Sequence, residues 1–302
     1  MMNPLQPGDC IALVAPSSPF EIEKYSRASS ILVELGYRVA PGKNVLRREG
    51  YLAGTDVERV EDLVRAIVDP SITAVICIRG GFGSSRLLHH LPFSTLKQNH
   101  KIFLGYSDTT CLHLAFWTRN RWTTFHGPNL IDMVDSPDHL DGVLSALSGS
   151  RAFSWSLDDQ QILRPGVASG PMLGGNLSCL CHLLGTNYCP DFRGALLLVE
   201  DRGEALYRLD RLVTQLQLAG VLDQIAGLIL GQFHECEEHH RIRDMVFDHV
   251  RYHSFPVIAD LPFGHGSANQ VIPLGAQFLL NTYEKSLKIL CQPFASTDTE
   301  SV

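Results

Sequence analysis

Short apolar segments alternate with amphipathic helical patterns through the first half of this 302-residue chain. Apolar runs of strand length cover residues 11–15 and 74–78, a further strand is predicted over residues 101–104, and each ends in a turn rich in Gly, Ser or Pro. Between them, residues 56–68 place apolar side chains at helical spacing. The run at 74–78 is apolar almost throughout, which is typical of a parallel strand covered on both faces. This alternation predicts an α/β fold with a doubly wound, mostly parallel sheet.

The regular alternation weakens after residue 135, where Ser, Asp, Pro and Gly become frequent. This composition indicates a linker over residues 141–169. Strand and helix patterns return beyond it, so we predict a second, mixed α/β domain. The predicted boundaries are residues 1–140 for the first domain and 170–302 for the second.

The composition and charge exclude several classes of protein. Hydrophobic residues make up 45% of the chain and charged residues 19%, which excludes intrinsic disorder. The formal net charge of −7 lacks the positive field that nucleic-acid binding requires, so we expect no nucleic-acid partner. No apolar stretch reaches the length of a membrane span, and no membrane association is expected.

The expected location is the cytoplasm. Most of the eight cysteines lie in apolar segments, as reduced and buried thiols do. Residues 1–9 show neither the basic nor the apolar region of a secretory signal.

Ser107 is a candidate nucleophile because it follows an apolar strand and opens a helix. A sharp turn at such a place presents the hydroxyl at the positive end of the helix, where backbone N–H groups can stabilise an oxyanion. The match to the hydrolase pattern G-x-S-x-G is partial, since Thr109 occupies the position of the last glycine. The same position suits a helix N-cap, a common role of serine. The spacing alone leaves both interpretations open.

Three further turns contain candidate site residues. The glycine-rich residues 80–83 follow a buried strand and could bind an anion, or only form a tight turn. Glu200 and Asp201 end another apolar strand, where a carboxylate suits either a site or a helix cap. His265 lies between two glycines, which allow a ligand to approach closely, although exposed loop histidines are common.

Two segments have metal-ligand residues without metal-ligand spacing. Residues 234–240 contain three histidines and three glutamates but not the pattern H-E-x-x-H, and a solvated polar loop explains them. Cys179, Cys181 and Cys189 lack the second pair of a zinc knuckle. We therefore expect neither a metal nor another cofactor.

Seven stretches of the chain match the motifs of one known family, and they do so in order. They are residues 11–18 (IALVAPSS), 51–56 (YLAGTD), 79–83 (RGGFG), 105–108 (GYSD), 174–177 (GGNL), 200–204 (EDRGE) with 207–211 (YRLDR), and 263–266 (FGHG). Taken together, these stretches resemble the serine-type LD-carboxypeptidases, a family that includes murein tetrapeptide carboxypeptidase and the microcin C immunity peptidase. The resemblance extends from residue 11 to about residue 280, and an ordered set of motifs is far more specific than any single one.

The resemblance implies a fold and a set of catalytic roles. The fold would be a Rossmann-like (flavodoxin-like) N-terminal domain and a smaller C-terminal α/β barrel-like domain. Ser107 would be the nucleophile, His265 the general base and Glu200 the residue that orients the histidine. The backbone N–H groups of Gly81 and Asp108 would form the oxyanion hole.

The resemblance also implies a reaction, the hydrolysis of the L,D-amide bond that releases terminal D-alanine from a muropeptide tetrapeptide. The immunity-type relatives instead cleave a peptidyl- or aminoacyl-sulfamoyl adenylate with the same triad. A non-catalytic, flavodoxin-like binding module is the alternative from another class. A homodimer is expected by resemblance alone. The residues expected to contact substrate are Arg79, Arg202, Glu204 and Asn176.

Overall fold

The computed structural model of the chain describes residues 2–295, which form a pair of β-sheets covered by helices. The strands are β1 (Cys10–Val14), β2 (Arg38–Pro41), β3 (Ala74–Cys77), β4 (Ile102–Gly105), β5 (Thr124–His126), β6 (Ser154–Ser156), β7 (Ile162–Arg164), β8 (Val167–Asn176), β9 (Leu196–Arg202), β10 (Gly227–His234), β11 (Val257–Ile258), β12 (Ile272–Leu274), β13 (Gln277–Asn281) and β14 (Ser286–Ile289).

Helices connect most of the parallel strands. The α-helices are α1 (Ile22–Glu34), α2 (Asp56–Val68), α3 (Ser84–Leu87), α4 (Phe93–Leu96), α5 (Thr110–Asn120), α6 (Pro137–Leu147), α7 (Leu177–Leu183), α8 (Leu206–Leu218) and α9 (His239–Val250). Single 3₁₀ turns cover Leu88–His90, Ser107–Thr109, Leu130–Val134 and Asp159–Gln161. Within residues 2–295, no helix combines the length and the apolar character needed to cross a membrane.

The first sheet confirms the doubly wound fold. Its six strands lie in the order β12-β5-β4-β3-β1-β2, and all of them are parallel except β12. Strands β1, β3 and β4 are buried along their whole length, because helices cover both faces of the sheet. Their carboxyl ends therefore meet at one edge, where residues 80–83 and Ser107 follow β3 and β4.

The second sheet is curled into a half-barrel and has eight strands in the order β6-β14-β13-β8-β9-β10-β11-β7. Its four central strands, β8 to β11, are parallel. Glycines allow β8 to approach its neighbours: a Cβ at Gly174 would lie 1.8 Å from the Leu198 carbonyl oxygen. Strand β9 is buried from Leu196 to Asp201, so Glu200 and Asp201, next to its exposed last residue Arg202, lie inside the protein.

Residues 141–169 are not an irregular linker. They contain the end of α6, the strands β6 and β7, a 3₁₀ turn and the start of β8. The short strands were missed because three residues with mixed polarity give no clear period. The boundaries 1–140 and 170–302 stay a prediction; strand β12 comes from the C-terminal half of the chain yet completes the first sheet.

The apolar core continues from one sheet to the other. A single cluster of buried side chains contains Val75 of β3, Leu114 of α5, Leu180 of α7 and Leu197 of β9. Helices α5 and α7 therefore pack in a common core. This packing fixes the position of the first sheet's carboxyl edge, where Ser107 lies, relative to the end of β9, where Glu200 lies.

Candidate active site

A cavity of about 770 Å³ opens at the carboxyl edge of the first sheet. It lies where the two sheets meet, and its walls come from both halves of the chain. Glu200 does not line it, because this residue is fully buried beneath the wall. The other residues singled out from the sequence all line it: Arg79, Gly81, Ser107, Asp108, Asn176, Arg202, Glu204 and His265.

Ser107 occupies the sharp turn between β4 and α5 in a left-handed backbone conformation, with φ +66°. Residues other than glycine seldom adopt this conformation, and strained backbone of this kind is common at active sites. Gly80 allows the neighbouring loop to come close, since a Cβ there would lie 2.8 Å from the Ser107 Cβ. The residue before the turn, Tyr106, takes the N-cap position. The geometry is that of a nucleophile elbow.

His265 and Glu200 form a short, buried pair. The His265 Nδ1 atom lies 2.6 Å from Glu200 Oε2, which also accepts the backbone N–H of His265 at 3.1 Å. A Cβ at Gly264 would lie 2.4 Å from the same Oε2 atom, so glycine is needed beside the histidine. With Nδ1–H donating to Glu200, the other ring nitrogen, Nε2, is free to accept a proton.

The surroundings of His265 raise the pKa of its imidazole. Burial alone lowers this pKa, but the charge of the Glu200 carboxylate and its hydrogen bond reverse the effect and leave the pKa above the usual value. The aromatic ring of Tyr106 packs on the imidazole with a centroid separation of 4.8 Å. This environment stabilises the imidazolium that a general base becomes after it takes a proton.

Ser107 and His265 line the same cavity, one from each half of the chain. Among the residues that the structure describes, no hydrogen bond joins the Ser107 hydroxyl to His265. Catalytic hydrogen bonds are often long in free enzymes and shorten when substrate binds. The structure thus brings all three predicted catalytic residues to one place and joins two of them directly.

Comparison with known proteins identifies the family. Residues 11–127 match the family model of the LD-carboxypeptidase N-terminal domain, and residues 169–280 match that of the LD-carboxypeptidase C-terminal domain. The chain belongs to the LD-carboxypeptidase family. It is a hydrolase, and the alternative of a non-catalytic binding module is wrong.

Individual relatives agree with this assignment. The Bacillus subtilis protein named "Probable murein peptide carboxypeptidase" is 36% identical over 295 residues, covering 94% of this chain and 92% of its own. The crystal structure of muramoyltetrapeptide carboxypeptidase from Oxalobacter formigenes superposes with a TM-score of 0.82 at 30% identity, covering 93% of this chain and 97% of that one. The microcin C7 self-immunity protein MccF of Escherichia coli is 26% identical, covering 98% and 96%.

The side chain of Asp108 connects the Ser107 turn of this LD-carboxypeptidase to the glycine-rich loop of residues 80–83. Its Oδ2 atom accepts the Ser17 hydroxyl at 2.6 Å and the Ser84 N–H at 2.7 Å, while its backbone carbonyl accepts the Ser84 hydroxyl at 2.6 Å. Gly81 lies in the same loop with φ +106° and lines the cavity. These bonds hold Gly81 and Asp108, the two residues expected to supply the oxyanion hole, in a fixed relation.

Ser17 and Ser84 were not singled out from the sequence as members of the site. Both are fully buried. Ser17 lies in the first matching stretch, residues 11–18, so the resemblance held a signal for it. Ser84 follows the third stretch directly and had no signal beyond that position.

The two cavity arginines differ in what they bind. The guanidinium of Arg202 forms two hydrogen bonds with the carboxylate of Glu235, at 2.8 and 2.9 Å. Arg79 donates to the carbonyl oxygen of Pro19 at 2.7 Å and, among residues 2–295, forms no ion pair. Arg79 is therefore the arginine whose charge is available to a substrate carboxylate.

The other two expected substrate contacts also have protein partners. Glu204 lies 3.6 Å from the guanidinium of Arg208. Asn176 caps α7 by accepting the Cys179 N–H at 3.0 Å and donates to Asp201 at 2.9 Å. Both residues line the cavity, but the Asn176 side chain is engaged within the protein.

Asp132 was missed in the sequence because no strand end or motif marks it. It lies in the 3₁₀ turn Leu130–Val134 and lines the cavity. Burial raises the pKa of its carboxyl group. Tyr106 stands in a matching stretch, and burial raises the pKa of its hydroxyl too.

The described residues include no group of three or more His, Cys, Asp or Glu side chains arranged to hold a metal ion. The segment 234–240 contains the last residue of β10 and the start of α9. Its side chains form separate, exposed ion pairs: His240 lies 3.4 Å from Glu238, and Glu235 and His239 pair with Arg202 and Asp260 from other segments.

Proposed function

We propose that the enzyme is a serine carboxypeptidase that hydrolyses the L,D-amide bond before a terminal D-alanine in muropeptide tetrapeptides. The observation that carries this proposal is the 2.6 Å pair of Glu200 and His265 at the same cavity as Ser107, which stands at φ +66°. The names of the Bacillus and Oxalobacter relatives support the choice of substrate.

The proposed reaction has two stages. His265 Nε2 takes the hydroxyl proton of Ser107, whose oxygen attacks the carbonyl carbon and forms an oxyanion held by the N–H groups of Gly81 and Asp108. Collapse of this intermediate breaks the amide bond, and the proton on His265 passes to the departing nitrogen of D-alanine. A water molecule, deprotonated by His265, then hydrolyses the acyl-enzyme and restores the Ser107 hydroxyl.

Arg79 has the chemistry to select a chain end. A planar guanidinium can bind both oxygens of a carboxylate at once. We propose that Arg79 binds the terminal carboxylate of the substrate. This contact would make the enzyme an exopeptidase, because only the last residue of a peptide has the terminal carboxylate next to the bond that is cleaved.

The decisive experiment is incubation with a purified disaccharide-tetrapeptide and mass spectrometry of the product. We expect a product lighter by one alanine residue and the release of free D-alanine. The Ser107→Ala protein provides the control for contaminating peptidases. An unchanged tetrapeptide would contradict the proposal.

A second candidate is cleavage of aminoacyl-sulfamoyl adenylates, which the similarity to the microcin C7 self-immunity protein favours. The same preparation can be incubated with an aspartyl-sulfamoyl adenosine. Release of aspartate together with an intact tetrapeptide in the parallel reaction would favour this second function over the first.

A further inference from the structure

Asp201, the residue after Glu200, is a buried carboxylate that accepts four hydrogen bonds. Its Oδ1 atom accepts Asn176 Nδ2 at 2.9 Å and the Arg202 N–H at 2.8 Å. Its Oδ2 atom accepts the Ser178 N–H at 2.9 Å and the Ser178 hydroxyl at 2.8 Å. Both oxygens thus face donors, an arrangement that suits the ionised carboxylate, which can only accept.

The same network reaches the helix of the nucleophile. The backbone N–H of Asn176 donates to Thr110 Oγ1 at 3.0 Å, and Thr110 is the first residue of α5, directly after the Ser107–Thr109 turn. The contact is close, since a Cβ at Gly175 would lie 2.6 Å from the same Oγ1 atom. Thr110 and Asn176 are both buried. A continuous path of hydrogen bonds therefore runs from α5 through Asn176 to the end of β9.

We propose that Asp201 is a positioning residue, which through Asn176 and Thr110 holds the Ser107 turn in register with the Glu200–His265 pair. The inference rests on the proposed serine mechanism but not on the identity of the substrate. Ser107 and Glu200 belong to different sheets, so their relation depends on contacts between α5 and the ends of β8 and β9. In enzymes, a misplacement of about 1 Å can cost on the order of 10²-fold in rate.

Asp201 also acts on His265 through its charge. The negative charges of Glu200 and Asp201 raise the pKa of His265, whereas burial and Arg202 lower it. Loss of the Asp201 charge should therefore lower this pKa. The charged or titratable groups that face His265 from the surrounding elements are Glu200, Asp201 and Arg202 from β9, Asp132 from the Leu130–Val134 turn, Glu235 after β10, His126 from β5 and Tyr106 after β4.

Two isosteric substitutions separate the geometric effect from the charge effect. Asp201→Asn removes the charge and turns one acceptor into a donor. Thr110→Val removes the acceptor for the Asn176 N–H and leaves every charge in place. The matched control is Asp62→Asn in α2, because Asp62 is also buried and also accepts two hydrogen bonds from an asparagine, Asn44, at 2.8 and 3.1 Å, but lies outside the cavity.

The readout is the rate at which a fluorophosphonate phosphonylates Ser107, with loss of fluoride, across a pH series, together with the pKa of His265 from NMR and kcat and KM on the tetrapeptide. For Asp201→Asn we expect a loss in kcat and in the phosphonylation rate of on the order of 10²-fold. We also expect little change in KM and a displacement of the acid limb of the pH profile to lower pH. For Thr110→Val we expect a rate loss of at least about tenfold with the His265 pKa unchanged. Asp62→Asn should lower Tm and leave the reaction rates and the His265 pKa unchanged.

The outcomes distinguish this inference from the proposed substrate. A full rate of phosphonylation at Ser107 and an unchanged His265 pKa in Asp201→Asn would overturn the inference. Normal fluorophosphonate reaction without release of D-alanine by the wild type would refute the substrate only. If Asp201→Asn does not fold, Ser178→Ala removes one donor and keeps the charge; equal rates in that variant and the wild type, together with a silent Thr110→Val, would also overturn the inference.

Discussion

Ser107 and His265 have little structural role outside the proposed reaction. The Ser107 backbone is in a strained conformation, and among the described residues the His265 ring forms a hydrogen bond with Glu200 alone. Ser107→Ala and His265→Ala should each lower kcat by roughly 10⁴-fold or more, and the double variant should lose little beyond either, because the two residues act as a unit. Steady-state kinetics and circular dichroism check this. Additive losses in the double variant would contradict a shared proton transfer.

We expect Glu200 to set the pH range of the proposed reaction. His265 accepts a proton only when neutral, so kcat/KM should fall as the pH drops through the His265 pKa. The Glu200 carboxylate raises that pKa, and Glu200→Gln should therefore move the acid limb to lower pH while kcat falls. A pH series of kcat/KM for the two proteins measures the displacement. A limb that stays in place, or moves to higher pH, would show that Glu200 does not control the titration.

The proposed role of Arg79 leads to a prediction about the substrate. If its guanidinium binds the terminal carboxylate, amidation of the D-alanine should raise KM sharply for the wild type, and Arg79→Gln should raise KM for the free acid in the same way. Arg86→Gln is the control, since Arg86 is paired with Asp56 at 2.8 Å outside the cavity. Equal cleavage of the amidated and free peptides would remove the basis for an exopeptidase.

At the scale of elements, the sequence predicted best a helix that has both a capping signal at its first residue and a regular spacing of apolar side chains. Helix α2 covers the predicted residues 56–68, because a capping box of Thr55 and Glu58 begins it and an apolar face continues to its end. Helix α9 was missed although Ile242, Val246 and Val250 are buried at helical spacing, since histidines and glutamates at its start favoured a polar loop. Strand β8 was not predicted because its glycines are typical of a turn. In the structure these glycines let the backbone of β8 lie close to neighbouring backbone.

The Gly-His-Gly turn offers a test at this scale. Gly264 has φ +96°, and a Cβ there would lie 2.4 Å from Glu200 Oε2. Gly264→Ala should lower stability by about 1–3 kcal/mol through backbone strain and, by displacing Glu200, should also reduce kcat. Gly185→Ala is the control, with φ +79° and open space around it. Equal kcat in both variants would indicate that Gly264 serves the backbone alone.

At the scale of the whole molecule, the sequence indicated the members of the site but not their arrangement. Ser107, Glu200 and His265 each stood at a strand end or in a glycine turn, so each was a candidate by itself. What joins them is packing between α5 and α7 and the path from Thr110 to Asp201, which link residues far apart in the chain. Contacts between residues far apart in the chain produce no local periodicity or motif in the sequence, so the sequence did not predict them. The segment 141–169 was misjudged for the same reason, because its strands pair with residues far away in the chain.

The continuous core predicts that the two halves of the chain unfold together. Buried side chains of both halves share one cluster, and β12 from the C-terminal half completes the first sheet. Calorimetry should therefore show one transition whose calorimetric and van't Hoff enthalpies agree. Leu180→Ala, which removes a fully buried side chain from α7, should destabilise the protein by about 2–5 kcal/mol and move that single transition as a whole. Two transitions, of which only one moves in the variant, would mean that the halves are independent and that the site between them can open.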